Sequence, residues 1–429
     1  RLARNIAAIA SSAPRLSDLG DSDLDSKNFV PNELQAEGIR NALNSRVAVL
    51  TGGPGTGKTA SMAALVRLLK ANSRRVVLCA PTGKAARRLS ELTGAEAMTI
   101  HRLLGYSPAE GFTRDEEDQL EAAMVIVDEA SMMDVYLADA LFRAIGEKTH
   151  VLLVGDQDQL PSVGPGRVLE ELIDSGSVPS ICLTEIVRQA AGSLIVVAAH
   201  QINSGEVPGT DSPDGGQRDF FVIERDSAED SFAEIISLVT ERLPRHYSVN
   251  PVDSIQVLSP MRKGPLGTNT LNNELRAVLN PDGKVVASGR FRIGDRLIQT
   301  RNDYEHELMN GEIVTLLSDD RERRRAIVRT DDGRTVTLDH GSLETFELAY
   351  AITIHKSQGS QAPIVVVPVH TSHYVMLSRN LFYTAVTRAE QTCVVVGQPR
   401  ALQLAVSRRT AGERNSALAQ RVSELATAG

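Results

Sequence analysis

The chain has 429 residues, 42% of them hydrophobic, with a formal net charge of −8 and three cysteines. That length suggests two or three domains with ample apolar material for their cores. The acidic balance excludes a broadly basic surface, so any nucleic-acid contact has to be a local basic track.

No apolar run approaches the roughly 18 residues of a bilayer span, and no secretory leader is visible. Cys79, Cys182 and Cys393 each sit in an apolar, strand-like run and read as small core residues. Their spacing offers neither a zinc site nor a disulfide framework. A soluble, reducing, cytoplasmic setting is the default expectation. The chain opens on Arg1 rather than Met and reads as a fragment.

In chain order, residues 1–28 are polar and turn-rich, with the acidic stretch Asp21-Ser22-Asp23-Leu24-Asp25, and read as a linker or the tail of a preceding domain. From residue 29 short apolar runs at 47–50, 76–80, 125–128, 151–155 and 181–183 alternate with helical segments. Such alternation predicts a parallel sheet with helices on both faces, here over 29–190. A second set at 255–259, 364–369 and 392–397 predicts another α/β domain over 191–290 and 346–405. Between its halves, over 291–345, short strands separated by Asn310-Gly311 and Asp331-Asp332-Gly333 predict a small inserted β-barrel. Residues 406–429 read as a C-terminal helix.

The first α/β set carries the clearest chemistry. Gly52-Gly53-Pro54-Gly55-Thr56-Gly57-Lys58-Thr59 satisfies G-x-x-x-x-G-K-[ST] between a strand and a helix. Glycines let backbone N–H groups approach phosphate at a helix N-terminus, Lys58 can reach the β- and γ-phosphates, and Thr59 can ligate Mg²⁺. The strand at 125–128 ends in Asp128-Glu129, suited to holding a metal shell and polarising an attacking water. After the next strand, Gln159 can sense the γ-phosphate, while Asp156 and Asp158 also read as turn formers. Arg188, and Arg388 on a predicted helix of the second domain, are candidates to stabilise transferring charge.

The motifs in order are GGPGTGKT (52–59), APTGKAARRL (80–89), TIHRLLGY (99–106), VIVDEASM (125–132), LLVGDQDQLPSVGPG (152–166), EIVRQ (185–189), AITIHKSQGSQ (351–361) and LFYTAVTRA (381–389). The set resembles superfamily 1 helicases, most closely the RecD-like 5′→3′ DNA helicases, over about residues 32–421. The resemblance implies two RecA-like P-loop domains closing on ATP and Mg²⁺, with an SH3-like barrel in the second. It implies nucleotide contacts from Gly53, Pro54, Gly55, Thr56 and Gly57, adenine reading by Gln35, and γ-phosphate sensing by Gln159 and Gly359. The family's N-terminal helix-hairpin-helix region is not expected within these residues. A strand-separating pin is expected near 106–119, where Phe112 is the one aromatic after Tyr106; a plain acidic surface loop is the competing reading.

A single-strand track needs cations and stacking platforms. Candidates are Thr82, Lys84, Arg87, His101 and Arg102 in the first domain, and Arg262, Lys263, Thr353, His355 and Lys356 in the second. His101 and His355 also read as structural residues. Tyr304 and Tyr383 read equally as platforms or as packing, and Arg321 to Arg325 as an exposed hairpin turn or, alternatively, a duplex or partner contact. With 4% aromatic residues, backbone contacts should dominate.

The expected function is an ATP-dependent DNA helicase moving 5′→3′ on single strands at duplex junctions, in repair or recombination. A monomer suffices for it, and repair or replication proteins are its expected partners. Alternatives are the helicase part of a conjugative relaxase, an RNA helicase, or an ATP-gated DNA-end-binding adaptor.

Overall fold

The computed structural model describes residues 1–19, 30–185, 192–210, 218–287, 289–409 and 416–427. The chain divides into two compact units, residues 1–191 with 412–429, and residues 192–411. Arg188 and the acidic stretch 21–25 lie outside the described residues.

The first unit is built on six strands: β1 (Val47–Gly52), β2 (Val76–Ala80), β3 (Ala97–Thr99), β4 (Met124–Val127), β5 (His150–Gly155) and β6 (Ser180–Leu183). Their order is β3-β2-β4-β5-β1-β6 and every pair is parallel. β1, β4 and β5 are buried at every position, as an apolar strand covered on both faces must be. Because β4, β5 and β1 are neighbours, the loops leaving their carboxyl ends emerge side by side, where α/β sheets bind ligands.

Residues 2–10 correct the expectation of a linker. They form the helix Leu2–Ala10, whose Leu2, Ala3 and Ile6 enter the same core as Val125 and Leu141. The expected C-terminal helix is also redrawn. One helix, Pro399–Ser407, ends in the second unit, and another, Leu418–Thr427, packs on Leu2–Ala10 and belongs to the first. Leu418 and Val422 complete that core. Of the three cysteines, Cys79 and Cys393 are buried as expected, but Cys182 is exposed: on β6, at the sheet's edge, it points away from the packed interior.

The second unit opens with the helix Leu194–Ser204, and its strands begin with β7 (Phe220–Glu224) and β8 (Ile255–Ser259), before the helix Thr268–Leu279. The chain then builds β9 (Arg296–Gln299), β10 (Ile313–Asp320), β11 (Arg325–Thr330), β12 (Thr335–Asp339) and β13 (Phe346–Leu348). These five make an antiparallel sheet in the order β12-β11-β10-β9-β13 around their own core, which includes Leu297, Val314, Val328 and Phe346. It is the inserted SH3-like barrel, and its last strand runs past the expected limit of 345 to Leu348. The chain returns to the parallel sheet with β14 (Ala351–Thr353), β15 (Ala362–Val369) and β16 (Ala389–Gly397), in the order β14-β8-β15-β16-β7. β3, β7, β13 and β14 were not read from the sequence; β3, β13 and β14 have only three residues each, too few to show a period.

Candidate nucleotide site and nucleic-acid interface

β1 hands the chain to the phosphate loop, and Gly57 turns it with φ +87 into the helix Lys58–Ala71, which Lys58 and Thr59 open. That left-handed turn is open to glycine at no steric cost. Gly53, Pro54, Gly55 and Thr56 form the loop, tied by Thr56 Oγ1 donating to the Gly53 carbonyl at 2.9 Å. Lys58 Nζ donates to the carbonyls of Gly52 and, at 2.9 Å, Gly53, so the ammonium lies across the loop mouth. Gln35 is buried beneath. Its Nε2 donates to the Thr56 carbonyl at 3.1 Å, and its Oε1 accepts from the Asn32 N–H at 3.0 Å. Asn32 Oδ1 accepts from the Gln35 N–H in return, a capping box that starts the helix Glu33–Asn44. The residue expected to read adenine thus also braces the phosphate loop from below.

β4 ends at Val127, and Asp128 Oδ1 accepts from the Glu129 N–H at 2.9 Å. Asp128 is half-buried. That burial, with the adjacent Glu129 charge, pushes its carboxyl well above the ordinary range, while the bond from the Glu129 N–H, then Lys58 and Arg88, pull it back. Lys58 is therefore within electrostatic reach of Asp128. Glu129 itself sits at φ +51, a left-handed conformation that costs a side chain about 1 kcal/mol. The short 3-10 helix Ala130–Met132 follows it directly. Asp156, after β5, is buried; its Oδ1 accepts from the Asp158 N–H at 3.1 Å and its Oδ2 from Gln159 Nε2 at 3.2 Å. Asp156 is thus both a turn former and the anchor that aims Gln159.

The donor set fits a nucleotide with a divalent cation. Two carboxylates lie together with charge to be neutralised, an ammonium spans the loop, and the helix Lys58–Ala71 begins there. Among the described residues, the buried hydroxyls of Thr51, in β1, and Ser131, after Glu129, have no hydrogen-bond partner, as expected where phosphate oxygens or a metal's water shell complete the site.

In the nucleic-acid set, Thr82 caps the helix Gly83–Thr93 through the Ala85 N–H at 3.3 Å, and Lys84 and Arg87 are half-buried along that helix. Arg102 is exposed, while His101 packs against Tyr106 and Phe112 with centroids 5.3 and 5.7 Å away. Burial lowers the His101 pKa, with Asp134 opposing. The expected pin is a very tight hairpin, Ser107 and Gly111 exchanging two backbone bonds of 2.8 Å, with the Tyr106 and Phe112 rings in tilted contact at its base, centroids 5.0 Å apart. Its acidic continuation is paired rather than open: Arg143 bridges Asp115 and Glu116, and Arg114 lies 3.6 Å from Asp118.

In the second unit, Arg262 and Lys263 are exposed after β8 and Thr353 ends β14, paired in register with Ser259. Thr353 Oγ1 caps the Lys356 N–H, and burial alone lowers the His355 pKa. Tyr383 is 1% exposed, so it is a core residue rather than a stacking platform; Tyr304 is 47% exposed. The Arg321 to Arg325 run is an exposed turn between β10 and β11, with Arg321 and Arg323 near Asp319 and Asp320. Arg388 is buried, its Nη1 donating at 3.2 Å to the carbonyl of Ser360, next to buried Gly359.

Sequence reasoning missed Arg88, Asp156 as an anchor, and Gly155. A Cβ on Gly155 would lie 3.1 Å from the Ser131 nitrogen and 3.3 Å from that of Ala130, so glycine lets the end of β5 close on the turn carrying Glu129. A glycine ending an apolar strand is a weak signal that only the partner strand makes legible.

Fold and site together define a P-loop nucleotide-binding protein with a second parallel-sheet unit that holds a barrel. The family model for the AAA domain matches residues 35–165, that for the ATP-dependent RecD-like DNA helicase SH3 domain residues 271–329, and that for the UvrD-like helicase C-terminal domain residues 348–396. The chain is 41% identical over 394 residues to the ATP-dependent RecD2 DNA helicase of Deinococcus radiodurans, covering 91% of this chain and 52% of that one, so it spans about half of that relative. It is 33% identical to the RecBCD enzyme subunit RecD of Mycolicibacterium smegmatis, over 88% of this chain and 73% of the relative. The chain belongs to the RecD-like family of superfamily 1 helicases. Among solved structures, Pif1 helicase from Candida albicans aligns with a TM-score of 0.53 at 17% identity over 94% of this chain and all of that one. Pif1 from Bacteroides, in complex with ADP-AlF3 and ssDNA, aligns with a TM-score of 0.52 at 18% identity over 86% and 92%. Both likenesses show the shared fold.

Proposed function

We propose that this chain is an ATP-dependent DNA helicase motor that translocates 5′→3′ on single-stranded DNA and opens duplex at junctions, in repair or recombination. The observation that carries it is the convergence of Lys58, Asp128, Glu129 and Gln159 at the adjacent carboxyl ends of β1, β4 and β5. Bound ATP supplies the phosphoryl group and Mg²⁺ the charge that makes its transfer to water accessible.

The chain's own residues do the rest. Gly53, Pro54, Gly55, Thr56 and Gly57 wrap the phosphates, Lys58 neutralises them, and Thr59 and Asp128 hold the metal. Glu129, its carboxylate presented by the strained turn, accepts the proton of the attacking water. Gln159, aimed by Asp156, and Gly359 sense the terminal phosphate, Arg188 and Arg388 stabilise the transferring charge, and Gln35 reads the base. Thr82, Lys84, Arg87, His101 and Arg102 grip the strand from the first unit, and Arg262, Lys263, Thr353, His355 and Lys356 from the second. His101 and His355 act as neutral hydrogen-bonding groups. The tight hairpin at 107–111, on its Tyr106–Phe112 base, is the wedge at the junction. The protein works in the cytoplasm as a monomer, alongside repair or replication proteins. No helix among the described residues is long and apolar enough to cross a membrane.

Strand displacement on 5′-tailed and 3′-tailed substrates, in DNA and RNA, tests the assignment. Displacement of 5′-tailed DNA, lost in Lys58→Ala together with strand-stimulated ATP hydrolysis, is expected. A 3′-tail preference overturns the direction, better unwinding of RNA overturns the substrate, and hydrolysis surviving in Lys58→Ala overturns the site.

A further inference from the structure

The last strand of the barrel carries a charge that none of these roles uses. Glu347 lies on β13 between Phe346, buried in the barrel core, and Leu348, and pairs in register with Ile298 of β9. Its two carboxylate oxygens serve two cations from two different places. Oε1 accepts from Arg262 Nη2 at 2.6 Å and Oε2 from Lys356 Nζ at 2.8 Å. Arg262 follows β8 and Lys356 follows β14, which are adjacent parallel strands, so both cations leave the sheet at one edge.

The three groups line a cavity of about 450 Å³, with Arg276 and Arg290 also on its wall. That lining holds four cationic side chains and one carboxylate; Arg262 and Lys356 bond Glu347, while Arg276 lies near Asp295 and Arg290 donates to the Phe346 carbonyl. A carboxylate and a phosphodiester present the same kind of anionic oxygen to a guanidinium and an ammonium. Glu347 therefore occupies, on Arg262 and Lys356, the place a backbone phosphate would take. Arg262 and Glu347 remain 58% and 35% exposed, so the contact is solvated and open to exchange. Burial raises the Glu347 pKa, but Lys356 and Arg262 outweigh it and hold the carboxyl below its ordinary value. At neutral pH it stays an anion, and a competing anion rather than a proton displaces it.

We propose that Glu347 is a displaceable counter-ion in the strand grip of this unit: it holds Arg262 and Lys356 when no strand is bound, and the phosphodiester backbone of a single strand binds there by exchanging with it. Glu347 thereby tempers the affinity for the strand and speeds its release. The inference rests on the reading of Arg262 and Lys356 as backbone contacts.

Fluorescence anisotropy of a labelled oligothymidine on the full chain, without nucleotide and across a salt series, tests it. Glu347→Gln and Glu347→Ala are both expected to bind about 3–10-fold tighter at low salt. Their log–log salt slopes should steepen by about 0.7, the single-strand increment for one net charge, with the advantage fading at high salt. Weaker binding, or unchanged affinity and slope, in both variants overturns the proposal. Arg262→Ala and Lys356→Ala separate the two layers. If neither weakens binding, the grip reading falls and Glu347's role with it; if both weaken it while neither Glu347 variant tightens it, only the counter-ion role falls.

Discussion

Gly155→Ala adds one methyl group where β5 meets the turn after Glu129. The new Cβ would lie 2.7 Å from Leu169 Cδ2, 3.1 Å from the Ser131 nitrogen and 3.3 Å from the Ala130 nitrogen. Leu169 can rotate its side chain away. The two nitrogens are backbone, so the turn has to retreat by about 0.4 Å to reach an ordinary contact near 3.5 Å. Overpacking of this kind costs about 1–3 kcal/mol. At about 2–4 °C per kcal/mol for a unit of this size, the first unit should melt roughly 2–12 °C lower. The retreat carries Glu129 with it. Scaling a loss of about 10²-fold per 1 Å of misplacement gives about a sixfold fall in kcat. KM for ATP should hold, because the phosphate loop lies on the other side of β5's contacts. Steady-state hydrolysis with saturating single-stranded DNA, beside a thermal melt, checks both numbers. A lower melting point with wild-type kcat would refute the argument, since Gly155 would then serve packing alone.

Two further outcomes follow from the charges. Glu129→Gln should cut turnover by about 10²–10⁴-fold, the usual range for a general base, yet raise the melting temperature in metal-free buffer at pH 8. The sign follows from Asp128, whose raised pKa means that its charged form opposes folding above the ordinary carboxylate range; removing the neighbouring charge relieves that penalty, and the gain disappears as the pH falls and Asp128 takes up its proton. A variant no more stable at pH 8 than wild type would show that the two carboxylates do not repel. For the histidines, burial lowers the pKa of both His101 and His355, so acidification from pH 8 to about 6.5, the unperturbed histidine value, should not strengthen strand binding through them. If His101→Gln or His355→Gln removes an acid-induced gain in affinity, those rings carry charge to the strand after all.

The P-loop, the Asp128-Glu129 pair and the hairpin pattern of the barrel were legible because each is local. A glycine spacing, a strand ending in carboxylates, and Asn-Gly or Asp-Gly turns act over a few residues, and their chemistry needs no distant partner. Where the reading failed, distance was the cause. Residues 2–10 looked like a tail because Leu2 and Ile6 find their core in Val125 and Leu141, and in Leu418 and Val422 at the other end of the chain. Cys182 was misjudged, and Tyr383 stayed open between platform and packing, for the same reason: exposure at a sheet edge and burial in a helix depend on neighbours that the local sequence does not name.

Which groups could bind phosphate and metal, and their order along the chain, were readable from residue types and spacing. What those groups do to one another came with folding. β4, β5 and β1 became adjacent, so that Lys58 could pull on Asp128, and Gly155 could admit the turn of Glu129. β8, β13 and β14 brought Arg262, Glu347 and Lys356 into one ion-pair network, although 85 residues separate the first two. Charge–charge energies depend on separation in space and on the water excluded between the groups, and neither quantity exists until the chain has folded.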